Sequence, residues 1–148
     1  MKRFIIFIAV FSISAASTAQ ILKPVKWSYA SKRVSDTEAV VLIKATMEKG
    51  WHIYSQTVPE SGPQPTRFSF EPSKGYKLMG KTGEPQPITE FEKTFDMELS
   101  YFENSVVFQQ RVNLVESSPT ITGKVVYMVC NDMQCLPPEE VAFSIPIK

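Results

Sequence analysis

From Val106 to Leu114 every second residue is apolar except Gln110, the series running Val106, Phe108, Gln110, Val112, Leu114. A period of two is that of a β-strand with one face buried. The same reading fits Ala39 to Met47, a β-branched run closed by Glu48-Lys49-Gly50, and the short strand Trp51-His52-Ile53-Tyr54 that follows it. A hairpin is the expected connection between these two. Gln56 to Pro65 carries three prolines and a glycine and reads as a loop. Thr66-Arg67-Phe68-Ser69-Phe70 then alternates as a strand, and Tyr76 to Met79 makes another short one.

Gly80 to Thr94 reads as irregular, with Pro85 and Pro87 against regular pairing and Ile88 and Phe91 apolar within it. Loops of this length in a compact domain are often functional. Phe95 to Phe102 and Ser105 to Leu114 are expected to form a hairpin around Glu103-Asn104, and Ile121 to Cys130 and Val141 to Ile147 are the last two strands. About eight or nine short strands without a helix predict an all-β chain, an antiparallel sandwich of immunoglobulin type. A small barrel is the competing architecture.

The two cysteines, Cys130 and Cys135, flank the turn-forming Asn131-Asp132-Met133-Gln134 at the mouth of the last hairpin. Directly opposed residues of an antiparallel pair approach closely enough for a disulfide. Opposing Cys130 to Cys135 sets Met128 against Pro137 and Val126 against Glu139, which conflicts with a buried face of Val141, Phe143 and Ile145. A bulge or kink at Pro137-Pro138 resolves that conflict. Closing so short a loop stabilises a fold by only about 2 kcal/mol, so a staple is a weak reason for the pair.

The amino terminus bears on compartment. Lys2 and Arg3, the apolar run Phe4 to Ile13 and the small residues Ser17-Thr18-Ala19 form a secretory signal pattern, so residues 1–19 are expected to be removed and residues 20–148 to form one domain. The apolar run is shorter than the roughly 20 residues of a spanning helix, so no membrane insertion is expected after signal removal. An exported domain lives where disulfides persist. Without Lys2 and Arg3, 14 of the 16 basic residues remain against 15 acidic ones. Near-neutral charge gives no support for a nucleic acid partner. With a single histidine, His52, neither a hydrolase triad nor a zinc site finds its ligands, and no cofactor is expected.

Val126-Tyr127-Met128-Val129-Cys130 through Cys135-Leu136-Pro137-Pro138-Glu139 resembles the active-site hairpin of the amino-terminal domain of the thiol:disulfide interchange protein DsbD. Lys49-Gly50-Trp51-His52-Ile53-Tyr54 is similar to that family's strand of glycine, two aromatics, an apolar residue and tyrosine. The resemblance implies an immunoglobulin-like periplasmic domain that carries reducing equivalents by reversible disulfide exchange, a carrier of protein-disulfide reductase type. Its partners would be thioredoxin-fold periplasmic proteins such as disulfide isomerases and cytochrome c maturation factors. Electrons would come from a separate membrane-embedded donor, because no membrane or thioredoxin-like domain is read in this chain. The resemblance also implies a cap over the sulfurs, placed by position at Phe91 with Glu90 beside it, and site-shaping roles for Tyr54, His52 and Pro137. It favours Cys135 as the partner-linked sulfur.

No cation or helix amino terminus is evident near the cysteines in sequence, whereas Asp132, Glu139 and Glu140 are close by. Carboxylates disfavour a thiolate, so the chemistry expected is that of a passive carrier attacked by a partner's activated cysteine. The rival reading is an immunoglobulin-like binding or adaptor module whose disulfide is structural.

Overall fold

A computed structural model describes residues 22–148, all of it strand, turn and loop. The expected signal segment, residues 1–19, lies outside the described residues. Eleven strands occur: β1 (Val25–Ser35), β2 (Glu38–Met47), β3 (His52–Tyr54), β4 (Arg67–Phe70), β5 (Tyr76–Gly83), β6 (Ile88–Glu92), β7 (Met97–Glu103), β8 (Ser105–Leu114), β9 (Thr120–Tyr127), β10 (Val129–Cys130) and β11 (Glu139–Pro146). They form three antiparallel sheets ordered β1-β2-β8-β5, β10-β3-β7-β6 and β11-β9-β4. The first sheet packs across the core on both others. Phe108 of β8 meets Phe68 of β4 with ring centroids 4.9 Å apart and Phe102 of β7 at 5.8 Å. The result is the immunoglobulin-like sandwich that the alternation predicts.

The main core follows the period of two. Val41, Ile43, Ala45 and Met47 of β2 and Val106, Phe108, Val112 and Leu114 of β8 are buried, as are Phe143 and Ile145 of β11. Gln110, the polar residue in the β8 series, is buried as well. Its amide accepts from Thr82 Oγ1 at 2.9 Å and donates to the carbonyls of Met79, Gly80 and Arg111. Those first two carbonyls are freed because β5 bulges between Met79 and Gly83, where Gly80 takes φ +68°. A buried amide with its donors and acceptors satisfied costs little, so Gln110 fits a core position by holding the bulge.

Two expected hairpins are not formed. β2 pairs with β1 and β8, whereas β3 pairs with β7 and β10; likewise β7 pairs with β3 and β6, and not with β8. At Gly50 (φ +83°) and Asn104 (φ 58°) the chain crosses from one layer of the sandwich to the other. Both arms of such a corner bury the same face, so alternation reads identically for a hairpin and for a crossing. The stretch Gly80 to Thr94 is also more regular than expected. It contains the end of β5 and the whole of β6, an edge strand held to β7 from Ile88 opposite Tyr101 to Glu92 opposite Met97. Edge pairing needs hydrogen bonds on one side only, so the prolines at 85 and 87 stop short of it. β1 was not expected; its Trp27 and Tyr29 close the open side of the core.

Candidate functional site

β9 leaves its sheet at Tyr127, and after Met128 the chain resumes as β10 beside β3, with Val129 opposite Ile53 and Cys130 opposite His52. The turn beyond is set by Asn131, whose Oδ1 accepts the N–H groups of Met133 (2.9 Å) and Gln134 (2.8 Å). The N–H of Asn131 donates to the Gln134 carbonyl and that of Leu136 to the Val129 carbonyl, each at 2.9 Å. Between these two bonds Cys130 and Cys135 face one another, Cα atoms 4.0 Å apart, and are joined by a disulfide. Partner numbers add to 265 at this tip but to 266 in the body of the hairpin, where Tyr127 faces Glu139 and Val125 faces Val141. The expected bulge is therefore present, with Pro137-Pro138 opposite Met128. Prolines suit it because they have no N–H to leave unpaired. Pro137 itself is exposed there.

The two sulfurs have different surroundings. Cys130 is 1% exposed and belongs to a small buried cluster with Tyr54 and Leu99, onto which Val58, Phe95, Met97, Tyr101 and Met128 pack. Cys135 is exposed on the return arm.

Polar groups line the same side. His52 and Tyr54 are two apart on β3 and so share a face, the face of Cys130, the register partner of His52. His52 Nε2 lies 3.3 Å from the Tyr54 hydroxyl, which donates to Glu92 with its oxygens 3.2 and 3.1 Å away. The Tyr101 hydroxyl donates to Glu90 Oε2 at 2.9 Å. Burial, reinforced by the Glu92 charge and hydrogen bond, pushes the Tyr54 hydroxyl well above its ordinary range. Burial followed by the Glu90 hydrogen bond pushes Tyr101 up to about 12. Both phenols are thus neutral donors at pH 7. Burial lowers the His52 pKa below 6.5 against the opposing pull of Glu92, Glu103 and Asp132.

Beside them lies an open cleft of about 330 Å³ whose walls include His52, Phe91, Lys93, Tyr101, Glu103 and Asp132. Of the residues singled out in the sequence, His52, Glu90 and Phe91 line this cleft, and His52 adjoins Tyr54 and Cys130. Phe91 sits on β6 opposite Glu98 and is 58% exposed along the cleft. The phenylalanine packed on the Cys130 cluster is Phe95, edge-on to Tyr54 at 6.3 Å. Glu139 accepts the Tyr127 hydroxyl at 2.8 Å and Glu140 pairs with Lys124 at 2.9 Å, so both are engaged on the body of the hairpin. The carboxylates at the cleft are Glu90, Glu92, Glu103 and Asp132. Glu92, Leu99 and Tyr101 were not singled out beforehand. The pairing of β3 with β7 brings Leu99 and Tyr101 to the site and that of β6 with β7 brings Glu92, and the alternation Glu90, Glu92 on one face of β6 was the signal available. Among the described residues no three His, Cys, Asp or Glu side chains converge as a metal site.

The family described as thiol:disulfide interchange protein DsbD, N-terminal, matches residues 18–146. Among solved structures, the reduced DsbD N-terminal domain of Neisseria meningitidis is similar at TM-score 0.51 and 14% identity, covering 79% of this chain and 82% of that one. The complex between the DsbD N-terminal and PilB N-terminal domains of the same organism gives TM-score 0.55 and 14% identity, with 84% of this chain and 87% of that one covered. The N-terminal periplasmic domain of ScsB from Proteus mirabilis gives 0.54 and 15%, covering 83% of this chain and 44% of that one. No curated protein sequence matches. With the family match spanning nearly all of the described residues and the sandwich fold in agreement, this protein belongs to the DsbD N-terminal domain family.

Proposed function

We propose that this protein is an exported thiol-disulfide exchange domain that relays reducing equivalents through Cys130 and Cys135 to thioredoxin-fold partners in the periplasm. The observation that carries the reading is the unequal exposure of the two cysteines, one buried in a cluster of its own and one exposed at a hairpin tip. A partner thiolate attacks Cys135, the S–S bond breaks with its electron pair passing to Cys130, and a mixed disulfide forms. The partner's second thiol then attacks the mixed disulfide and leaves this domain as the dithiol. In the opposite direction Cys135 attacks an oxidised acceptor and Cys130 closes the ring, releasing the acceptor reduced. Acceptors of disulfide isomerase or cytochrome c maturation type and a separate membrane-embedded donor fit this scheme. Residues 1–19 act as the export signal, with maturation before Gln20.

Trapping tests the assignment. In Cys130→Ser the exposed Cys135 retains partners as stable mixed disulfides, recoverable from periplasmic extracts and cleaved by reductant, whereas Cys135→Ser yields few. Recovery of thioredoxin-fold proteins supports the relay; no adduct with either variant favours the inert adaptor reading. A reduction potential below about −300 mV, as in structural bridges, also counts for that rival.

A further inference from the structure

His52 lies opposite the cysteine that is closed to solvent. It is the register partner of Cys130 on β3 and stands half-buried in the cleft wall. Its hydrogen bonding identifies the tautomer. The Tyr54 hydroxyl has a single proton, and that proton is directed at Glu92, 3.1 and 3.2 Å away. Toward His52 the phenol oxygen can therefore only accept, so Nε2 carries hydrogen and Nδ1 keeps its lone pair. The chain Glu92–Tyr54–His52 thus presents an oriented imidazole with one basic nitrogen. Beyond it, a positive charge on the ring would be stabilised by the carboxylates of Glu92, Glu103 and Asp132.

Resting on the exchange function just given, we propose that His52 is the proton acceptor that activates Cys130 for ring closure, and its proton donor in the reverse step. When Cys135 is linked to an acceptor, Cys130 must lose its thiol proton to attack Cys135, yet Cys130 is 1% exposed and carboxylates line the cleft that its register partner His52 borders. Both circumstances disfavour an unassisted thiolate. His52 takes the proton, the Cys130 sulfur bonds to Cys135 Sγ, and the bond from Cys135 to the acceptor breaks with its electron pair leaving on the acceptor sulfur. The imidazolium then loses its proton to water in the cleft. In reverse, a donor thiolate attacks Cys135 and the imidazolium protonates the displaced Cys130 sulfur, so protons and electrons balance in both directions. The groups facing His52 are Tyr54 on its own strand, Tyr101 and Glu103 on β7, Glu90 and Glu92 on β6, Lys93 after it, and Asp132 in the hairpin turn. Burial keeps the imidazole neutral at pH 7, the form a base requires.

The test is single-turnover ring closure in the reduced protein with 5,5′-dithiobis(2-nitrobenzoate), which releases one thionitrobenzoate on attack by Cys135 and a second when Cys130 closes the bridge. In wild type the second release should rise with pH and level off by about pH 7, following a histidine. His52→Gln should close roughly 10- to 100-fold more slowly at pH 7, and its rate should climb past pH 8.5 with the thiol itself. His52→Ala should regain speed with added free imidazole. An unchanged rate and profile in His52→Gln would overturn the proposal, as would a slower rate that keeps the wild-type inflection. Should the variants not fold, a wild-type profile without an inflection between pH 5 and 7.5 overturns it alone. Absence of any second release from wild type instead sinks the exchange function itself.

Discussion

The sandwich holds two buried clusters of different character. The larger, drawn from all three sheets, is apolar and aromatic, with Trp27, Phe68, Phe102 and Phe108 in mutual contact. The smaller consists of Tyr54, Leu99 and Cys130 and is bordered by His52, Tyr101 and two glutamates that bind the phenols. In the first, the apolar surface gains by exclusion from water, and Trp27 Nε1 is a buried polar atom left without a partner. In the second, a buried phenol and a buried cysteine stand beside the half-buried His52 of an open cleft, through which a proton can still be exchanged. Stability and reactivity are thereby assigned to opposite sides of one short segment, β3: Ile53 faces the main core while His52 and Tyr54 face the disulfide.

The largest expected effect breaks the main core. Phe108→Ala removes a fully buried ring touching three aromatics and should cost about 3–5 kcal/mol in urea unfolding; a loss below 1 kcal/mol would mean the two clusters are not energetically distinct. Reducing the disulfide should cost less, about 2 kcal/mol, since the loop it closes is short, and denaturation with and without a reductant measures it. Tyr54→Phe removes the hydroxyl between Glu92 and His52. About 1 kcal/mol of stability is expected to go with it, together with a slower second release of thionitrobenzoate.

The pH dependence of stability separates the clusters further. Because the folded pKa of His52 lies below its unfolded value of 6.5, the unfolded chain binds more protons as pH falls through that window. Stability contributed by the neutral ring is present above about pH 6.5 and declines toward the lower folded pKa. Unfolding midpoints between pH 7 and 5 should therefore fall more in wild type than in His52→Gln. The smallest effect on stability belongs to Phe91→Ala, within about 0.5 kcal/mol for an exposed edge residue. If Phe91 shields the sulfurs, the same change should speed reduction by a small monothiol. An equal rate assigns shielding to Phe95, whose ring already packs on the Cys130 cluster.

Much of the fold was legible because strand alternation reports which face is buried. β2, β8, β9 and β11 follow it closely, and the offset at Pro137-Pro138 was forced by two registers that could not both hold. β1 was harder to see, since Trp27 and Tyr29 are only partly buried and alternate with residues equally at home in a loop. β6 was obscured by the prolines before it, and with β6 went Glu92, the partner of Tyr54.

By itself the sequence determined a β chain with two cysteines opposed across a turn, and the Pro-Pro bulge that sets them there, because these depend on local patterning and on contacts a few residues apart. Tertiary structure alone decided which layer each strand joins, since both arms of a corner bury the same face. It also decided that Cys130 is enclosed and Cys135 is not. That asymmetry arises where β3, β6, β7 and β10 meet, strands separated by up to 78 residues between His52 and Cys130, and no local pattern carries it.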